Sequence, residues 1–121
     1  MTSEPNARVL EKLEHMLGAV QRIETNVKGL SPKSFHENAM VQDAVIRNFE
    51  IIGEAANKIR SLDSNFAAAH PELKLDIAYR MRNALVHGCD AVNLVTLWNT
   101  SQSDLPDLKY RLQKSEDVIM S

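Results

Sequence analysis

The sequence predicts an all-α fold, an up-and-down bundle of about five helices. Three observations carry this reading. Apolar residues recur at steps of three and four along most of the 121-residue chain, the signature of helical faces. Four Gly and four Pro make up about 7% of it, against about 12% in ordinary proteins, so few positions break a helix. Aromatic residues, which favour strands, are only 5% of the total.

The first periodic stretch runs from about Asn6 to Lys28, with Leu10, Leu13, Leu17, Val20, Ile23 and Val27 on one face. Gly29 follows where a left-handed helix terminator belongs. A second start comes at Ser31-Pro32: Pro32 suits a first turn, and Ser34 with Glu37 has capping-box spacing. From there to Arg60 only Gly53 interrupts a helix. Val41, Ala44, Val45, Phe49, Ile52, Ala56 and Ile59 form its apolar seam, widened by Met40, Ile46, Ile51 and Ala55. So wide a stripe predicts packing on two sides. A helix over 32–60 would be about 43 Å long, the spine of an elongated bundle. Its polar stripe reads Asp43, Arg47, Glu50, Glu54, Lys58.

Residues 61–74 read as a connection holding a short helix near Ser64–His70, closed by Pro71. A third main helix is expected from about Lys74 to Val86, ending at His87-Gly88, and a loop from Cys89 leads to Asn93, an N-cap. Beyond it Leu94, Leu97, Trp98, Ser101, Leu105, Leu108 and Leu112 keep one register through Pro106, where a kink or short break is expected, with Asp104 placed to cap a new segment. The tail after Lys114 is expected to fray. No internal repeat or composition shift divides the chain, so residues 1–121 read as a single domain.

Charge and composition exclude several classes. Fourteen Lys+Arg against sixteen Asp+Glu leave a net charge of −2, which argues against broad nonspecific nucleic-acid binding but not against a small local site. The lone Cys89 cannot form an internal disulfide, and no Cys/His cluster has zinc spacing, so a cytoplasmic chain with no metal or cofactor is expected. Met1-Thr-Ser-Glu-Pro lacks the order of a signal peptide, and no run approaches the roughly 18 apolar residues of a membrane span.

The segment from Tyr79 to Asp90 carries the unusual polar set. Arg82 is a permanent cation able to grip a phosphate bidentately. Asn83 and His87, four apart on one face, could hydrogen-bond and so orient the imidazole. His87 also falls at a helix C-terminus, where exposed carbonyls favour its protonated form. A guanidinium beside an orientable imidazole can cleave a phosphodiester, one group stabilising charge while the other moves protons. The same residues admit a plainer account: His-Gly is a common helix ending, and an Arg-Asn pair usually sits in solvent or a salt bridge. Arg82 and His87 lie about 140° apart around one helix, so they converge more easily across two chains than within one.

Met81-Arg82-Asn83-Ala84-Leu85-Val86-His87-Gly88 resembles the Arg-x4-His signature of HEPN domains, and of the HepT-like toxin family in particular. Upstream, the stretch from Val41 to Ala56, with Arg47 and Gly53-Glu54-Ala55, looks like that family's second hallmark. Downstream, Val92-Asn93-Leu94, Leu97-Trp98 and Asp104-Leu105-Pro106 fit its terminal helix. The likeness spans about residues 8–113, and the motifs in this order are far more specific than Arg-x4-His alone.

The resemblance implies a metal-independent endoribonuclease, the toxin of a HEPN/MNT toxin–antitoxin pair. It implies a homodimer with its cleft at the twofold and an antitoxin partner that is a minimal nucleotidyltransferase (MNT). Carried onto this sequence, Arg82 stabilises the crowded phosphate, His87 is the general base or acid for attack by the RNA 2′-hydroxyl, and Asn83 holds the geometry. One position departs from the pattern. The family Tyr that receives AMP from the transferase is Cys89 here, which lacks the phenol. Neutralisation by binding alone, modification elsewhere and a weakened toxin all stay open, as does the plain account of Cys89 as a small buried hydrophobe. Arg47 and Glu54 either line the dimer cleft in support of Arg82 and His87 or belong to a solvated face carrying Asp43–Arg47 and Glu54–Lys58 pairs. Glu50 and Glu54 are like-charged neighbours, an arrangement that makes sense if an Arg such as Arg82 reaches them. His15, His36 and His70 read as surface residues. Two other classes stand beside the ribonuclease: a non-catalytic HEPN partner of a nucleotidyltransferase, and a helical interaction module in which the motif only ends a helix.

Overall fold

The structure, a computed structural model, describes residues 7–87 and 93–120, the side chains of 84–87 and 118–120 excepted. Gly88, Cys89 and the loop expected to follow lie outside the described residues, as does the imidazole of His87. The elements in chain order are α1 (Ala7–Val27), α2 (Pro32–His36), α3 (Ala39–Leu62), α4 (Ser64–Ala69), a 3-10 turn (Pro71–Leu73), α5 (Leu75–His87) and α6 (Leu94–Met120). The fold is all-α, and no strand occurs among the described residues.

The described residues form six α-helices rather than about five, because the long helix expected over 32–60 is broken at Glu37-Asn38. Asn38 takes an extended backbone (φ −117°, ψ 90°), and its side-chain oxygen accepts the Val41 N–H at 3.1 Å. Gln42 Nε2 donates to the carbonyls of Phe35 (2.9 Å) and His36 (2.8 Å) at the end of α2, that of Phe35 also accepting the Asn38 N–H at 3.2 Å. Local side-chain hydrogen bonds thus compete successfully with helix continuation. With 24 residues, α3 is about 36 Å long rather than 43 Å. The capping box of α2 is also one turn earlier than expected. Ser31 Oγ accepts the Ser34 N–H (3.1 Å) and Ser34 Oγ accepts the Ser31 N–H (2.8 Å), while Glu37 closes the helix. Gly29 has φ +78° and ends α1, and Asn93 Oδ1 accepts the Thr96 N–H at 3.0 Å to start α6.

Pro106 lies inside α6, which runs unbroken from Leu94 to Met120. Pro106 and Gln102, whose carbonyl loses its usual donor, are both exposed, so water can satisfy that carbonyl. Buried Leu105 and Leu112 hold the helix to the core on either side, and no new segment starts at Asp104.

α3 is packed on two sides, by α1 and by α5, while α6 lies along α1. Arg22–Asn48 ties α1 to α3, Lys109–Glu24 (3.0 Å) ties α6 to α1, and Phe35 meets the Trp98 ring at 5.3 Å. The fully buried face of α1 is Val9, Leu13, Met16, Val20 and Ile23, with Leu10 and Leu17 half-buried at its margins. Val45, Phe49, Ile52, Ala56 and Ile59 of α3 complete it with Leu97, Leu105 and Leu112 of α6. Met40, expected to widen the seam of α3, is 81% exposed because the Asn38 cap puts it in the first turn, beyond the packed part of the helix. Among the described residues no helix is long and apolar enough to cross a membrane.

Candidate active site

Gly53 sits near the middle of α3, where an exposed glycine costs about 1 kcal/mol against Ala. Here it is buried under α5. A Cβ at position 53 would overlap Arg82 Cβ and come within 2.8 Å of the Ala78 carbonyl oxygen and 2.9 Å of Arg82 Cγ. The missing side chain is what lets α5 cross α3 this closely, and the crossing delivers Arg82 to the neighbour of Gly53 in sequence. Arg82 Nη2 donates to Glu54 Oε1 at 3.4 Å, and Nη1 donates to Asn83 Oδ1 at 3.1 Å. The Nε of Arg82 is buried without a protein acceptor among the described residues. The Arg82 side chain is 23% exposed and that of Glu54 49%. A strong charge-assisted bond would be nearer 2.7–2.9 Å, so Glu54 aims the guanidinium without saturating it.

The other site residues found from sequence fall as follows. His87 is the last residue of α5, five positions beyond Arg82 on the same continuous helix, hence about 7.5 Å further along its axis. Asn83 has its amide oxygen engaged by Arg82. Arg47 is 62% exposed and pairs with Glu50 at 3.5 Å, one turn along, rather than with Asp43. Glu54 meets Arg82 instead of Lys58. Arg82, Asn83 and Glu54 therefore come together, while no contact joins Arg47 to them among the described residues. His15 and His36 are exposed, whereas His70 stacks on Phe66 at 4.4 Å and meets Glu72 at 2.9 Å.

On the opposite flank of α5, Ile77, Met81, Leu105 and Leu108 wall an apolar hollow of about 240 Å³ between α5 and α6, floored by Phe49 and Ile52. Glu72, Asp104 and Asp107 stand at its edge, and Arg82 has no part in it. The polar chemistry and the apolar hollow thus sit on different sides of one helix.

A family model described as Ribonuclease HepT-like matches residues 16–115. The chain belongs to the HepT-like family. Among its relatives, a Thermococcus cleftensis protein named Probable ribonuclease HepT is 34% identical over 102 residues, which cover 84% of this chain and 90% of the relative. A Caldanaerobacter subterraneus protein named as a putative RNase is 29% identical over 102 residues, covering 84% of this chain and 88% of its own. A Methanocaldococcus jannaschii protein, 32% identical over 102 residues, is named for a gamma-glutamylcyclotransferase and an RNase of the same standing. The match covers 84% of this chain and 45% of that protein. No solved structure gives a comparable match. Gly53, Glu54, Arg82, Asn83 and His87 all lie within the HepT-like region.

Sequence reasoning missed two features of this surface. Gly53 figured in it as a helix interruption and as part of a family hallmark, with no packing role, although an interior helix glycine is itself a signal of close backbone approach. The Arg22–Asn48 hydrogen bond, 2.7 Å across 26 positions, left only a faint trace: an Asn among the apolar residues of α3.

Proposed function

We propose that this HepT-like chain is a metal-independent endoribonuclease, with Arg82 and His87 of α5 as its catalytic pair in a cleft formed by two copies. The observation that carries the reading is the Gly53 crossing, which holds the Arg82 guanidinium between Glu54 and Asn83 with donor capacity left over. In the reaction His87 takes the proton of an RNA 2′-hydroxyl and the 2′-oxygen attacks the adjacent phosphorus. Arg82 stabilises the added negative charge, and the bond to the 5′-oxygen breaks as that oxygen takes a proton from water, the proton held by His87 returning to solvent. The products are a cyclic phosphate and a 5′-hydroxyl. Because the nucleophile belongs to the substrate, this route calls on no metal. Glu54 is a positioning residue that the incoming phosphate displaces from Arg82. The angular separation of Arg82 and His87 on one helix supports a cleft in which each site draws on both copies.

Family membership supports a native setting as the toxin of a HEPN/MNT pair in the cytoplasm, restrained by a nucleotidyltransferase antitoxin. Cys89 in place of the family Tyr favours restraint by binding over attachment of AMP at that position. The same Cys89 is the observation behind a second reading, a non-catalytic HEPN partner of the transferase.

The test is cleavage of total cellular RNA by purified protein in EDTA, beside Arg82→Ala and His87→Ala, with light scattering for mass. We expect cutting by a two-chain species and a loss of at least about 100-fold in each variant. Cutting untouched by either substitution would remove the pair from the mechanism. A folded wild-type dimer that leaves RNA intact would turn the assignment to the non-catalytic partner, and a one-chain mass would remove the shared cleft.

A further inference from the structure

Asn48 is 7% exposed and lies on the packed face of α3, where a polar side chain costs free energy unless fully paired. Its pairing is specific. Nδ2 donates to the Ala44 carbonyl at 2.9 Å, and Oδ1 accepts from Arg22 Nε of α1 at 2.7 Å. The bond spends Nε and fixes the plane of the guanidinium, leaving Nη1 and Nη2 with no protein acceptor among the described residues. Gly18, one turn before Arg22, makes room for the fork: a Cβ there would stand 3.3 Å from Arg22 Nη1. The surrounding cleft, about 530 Å³ and open to solvent, is lined by Gln21, Thr25, Asn26 and Asn48, with no carboxylate among its lining residues.

This distinguishes Arg22 from four other arginines of the surface, whereas Arg60 is spent on the face of the Tyr79 ring, 6.0 Å from its centroid. Arg47, Arg80, Arg82 and Arg111 each meet a carboxylate, at Glu50, Asp76, Glu54 and Asp107 respectively. The recorded partner of Arg22 is a neutral amide, so its full charge faces the cleft. In a chain of net charge −2 this is a local cationic site, and a preset pair of Nη donors matches the oxygens of a phosphate. Its position relates it to Arg82. Asn48 and Glu54, the anchors of the two arginines, lie on the same helix six residues apart, about 9 Å along the axis. Arg22 approaches the exposed ridge of α3 from the α1 side and Arg82 from the α5 side.

We propose that Arg22, held by Asn48, is a second phosphate grip that binds the RNA backbone on the α1 side of the α3 ridge, away from the phosphate being cut. The proposal rests on the ribonuclease reading and adds to it a subsite outside the Arg-x4-His segment. It is tested by binding of a short fluorescent 2′-O-methyl RNA, which lacks the nucleophile, over a series of salt concentrations. The proteins compared are wild type, Arg22→Gln and Asn48→Asp, the last keeping Arg22 but setting a carboxylate against it. Each variant should bind about tenfold more weakly. The slope of log affinity against log salt should fall by about 0.7, the loss of one phosphate contact on a single strand. On cleavable RNA, kcat/KM should fall in parallel.

Unchanged affinity and slope in Arg22→Gln would overturn the proposal and leave the pair a packing contact. Intact RNA binding with a changed molecular mass would also overturn it, by showing that the fork holds a carboxylate of a second copy. Wild type that cuts RNA while Arg22→Gln binds it normally sinks this subsite alone. Wild type that neither binds nor cuts sinks the ribonuclease reading with it. Arg22 is exposed, so Arg22→Gln carries the test even if Asn48→Asp melts the bundle, as circular dichroism would report.

Discussion

One methyl group at position 53 should separate folding from chemistry. Gly53→Ala gains about 1 kcal/mol of helix propensity. Against this stand the Ala78 carbonyl and Arg82 Cβ, backbone and near-backbone atoms that cannot swing aside as a side-chain tip would. Overpacking of this kind costs about 1–3 kcal/mol, so we expect a variant no more stable than wild type and up to about 2 kcal/mol less, read by denaturant unfolding. RNA cleavage should fall by at least about tenfold, since moving α5 off α3 draws Arg82 away from Glu54. A variant with wild-type stability and rate would contradict the crossing as described. The placement of Arg82 and His87 on one helix was legible in the sequence because the motif is confined to one turn and a half. The Glu54 contact was partly legible, since two like charges at a spacing of four ask for a cation from elsewhere. Arg22 with Asn48 was not, because no local pattern announces a pairing between two helices.

Helix existence was plain from periodicity, whereas helix limits were decided by caps. Asn38 and Gln42 break what reads as one long helix, and nothing in spacing alone separates Ser31/Ser34 from Ser34/Glu37 as a capping box. The face of α1 is turned by about one position, with Val9 and Met16 at its centre where Leu10 and Leu17 were expected. A stripe this wide leaves its own midline undetermined until α3 and α6 pack on it. The opposite error occurs at Pro106, where a local breaker was overruled by anchoring on both sides. Its cost should be recoverable. Pro106→Ala returns a donor to the Gln102 carbonyl at an exposed position, and unfolding free energy should rise by about 1–3 kcal/mol. No gain in a denaturant titration would mean that α6 has already compensated for the missing bond.

Across the bundle, the meeting of α1 and α6 gathers negative charge. Burial raises the carboxyl of Glu116 above the ordinary range, with the charges of Glu14 and Asp117 acting in the same direction, and its Oε1 is buried without a partner among the described residues. A carboxyl raised in the folded state binds its proton more tightly there than in the unfolded chain. The native state therefore bears a cost at neutral pH, which is relieved as pH falls through the raised value toward the ordinary carboxylate range. Glu116→Gln should accordingly raise the unfolding midpoint at neutral pH, by about 0.5 kcal/mol in free energy. The advantage should shrink on acidification, and a gain independent of pH would assign it to packing instead of charge.

Among the described residues α5 packs chiefly on α3, and the hollow beyond it separates it from α6. The helix bearing Arg82 and His87 is thus seated on one side only, and the free energy holding it is drawn largely from a single interface centred on Gly53. Local opening takes place where buried contacts are fewest. The consequence is a hierarchy of cooperativity. Amide protons in the middle of α1 and α3 should exchange only through global unfolding, while those of α5 should exchange through a smaller excursion that lifts the helix and leaves the rest intact. Such a state would keep its core and withdraw Arg82 from Glu54: a folded form without the proposed site, reached at a fraction of the cost of denaturation.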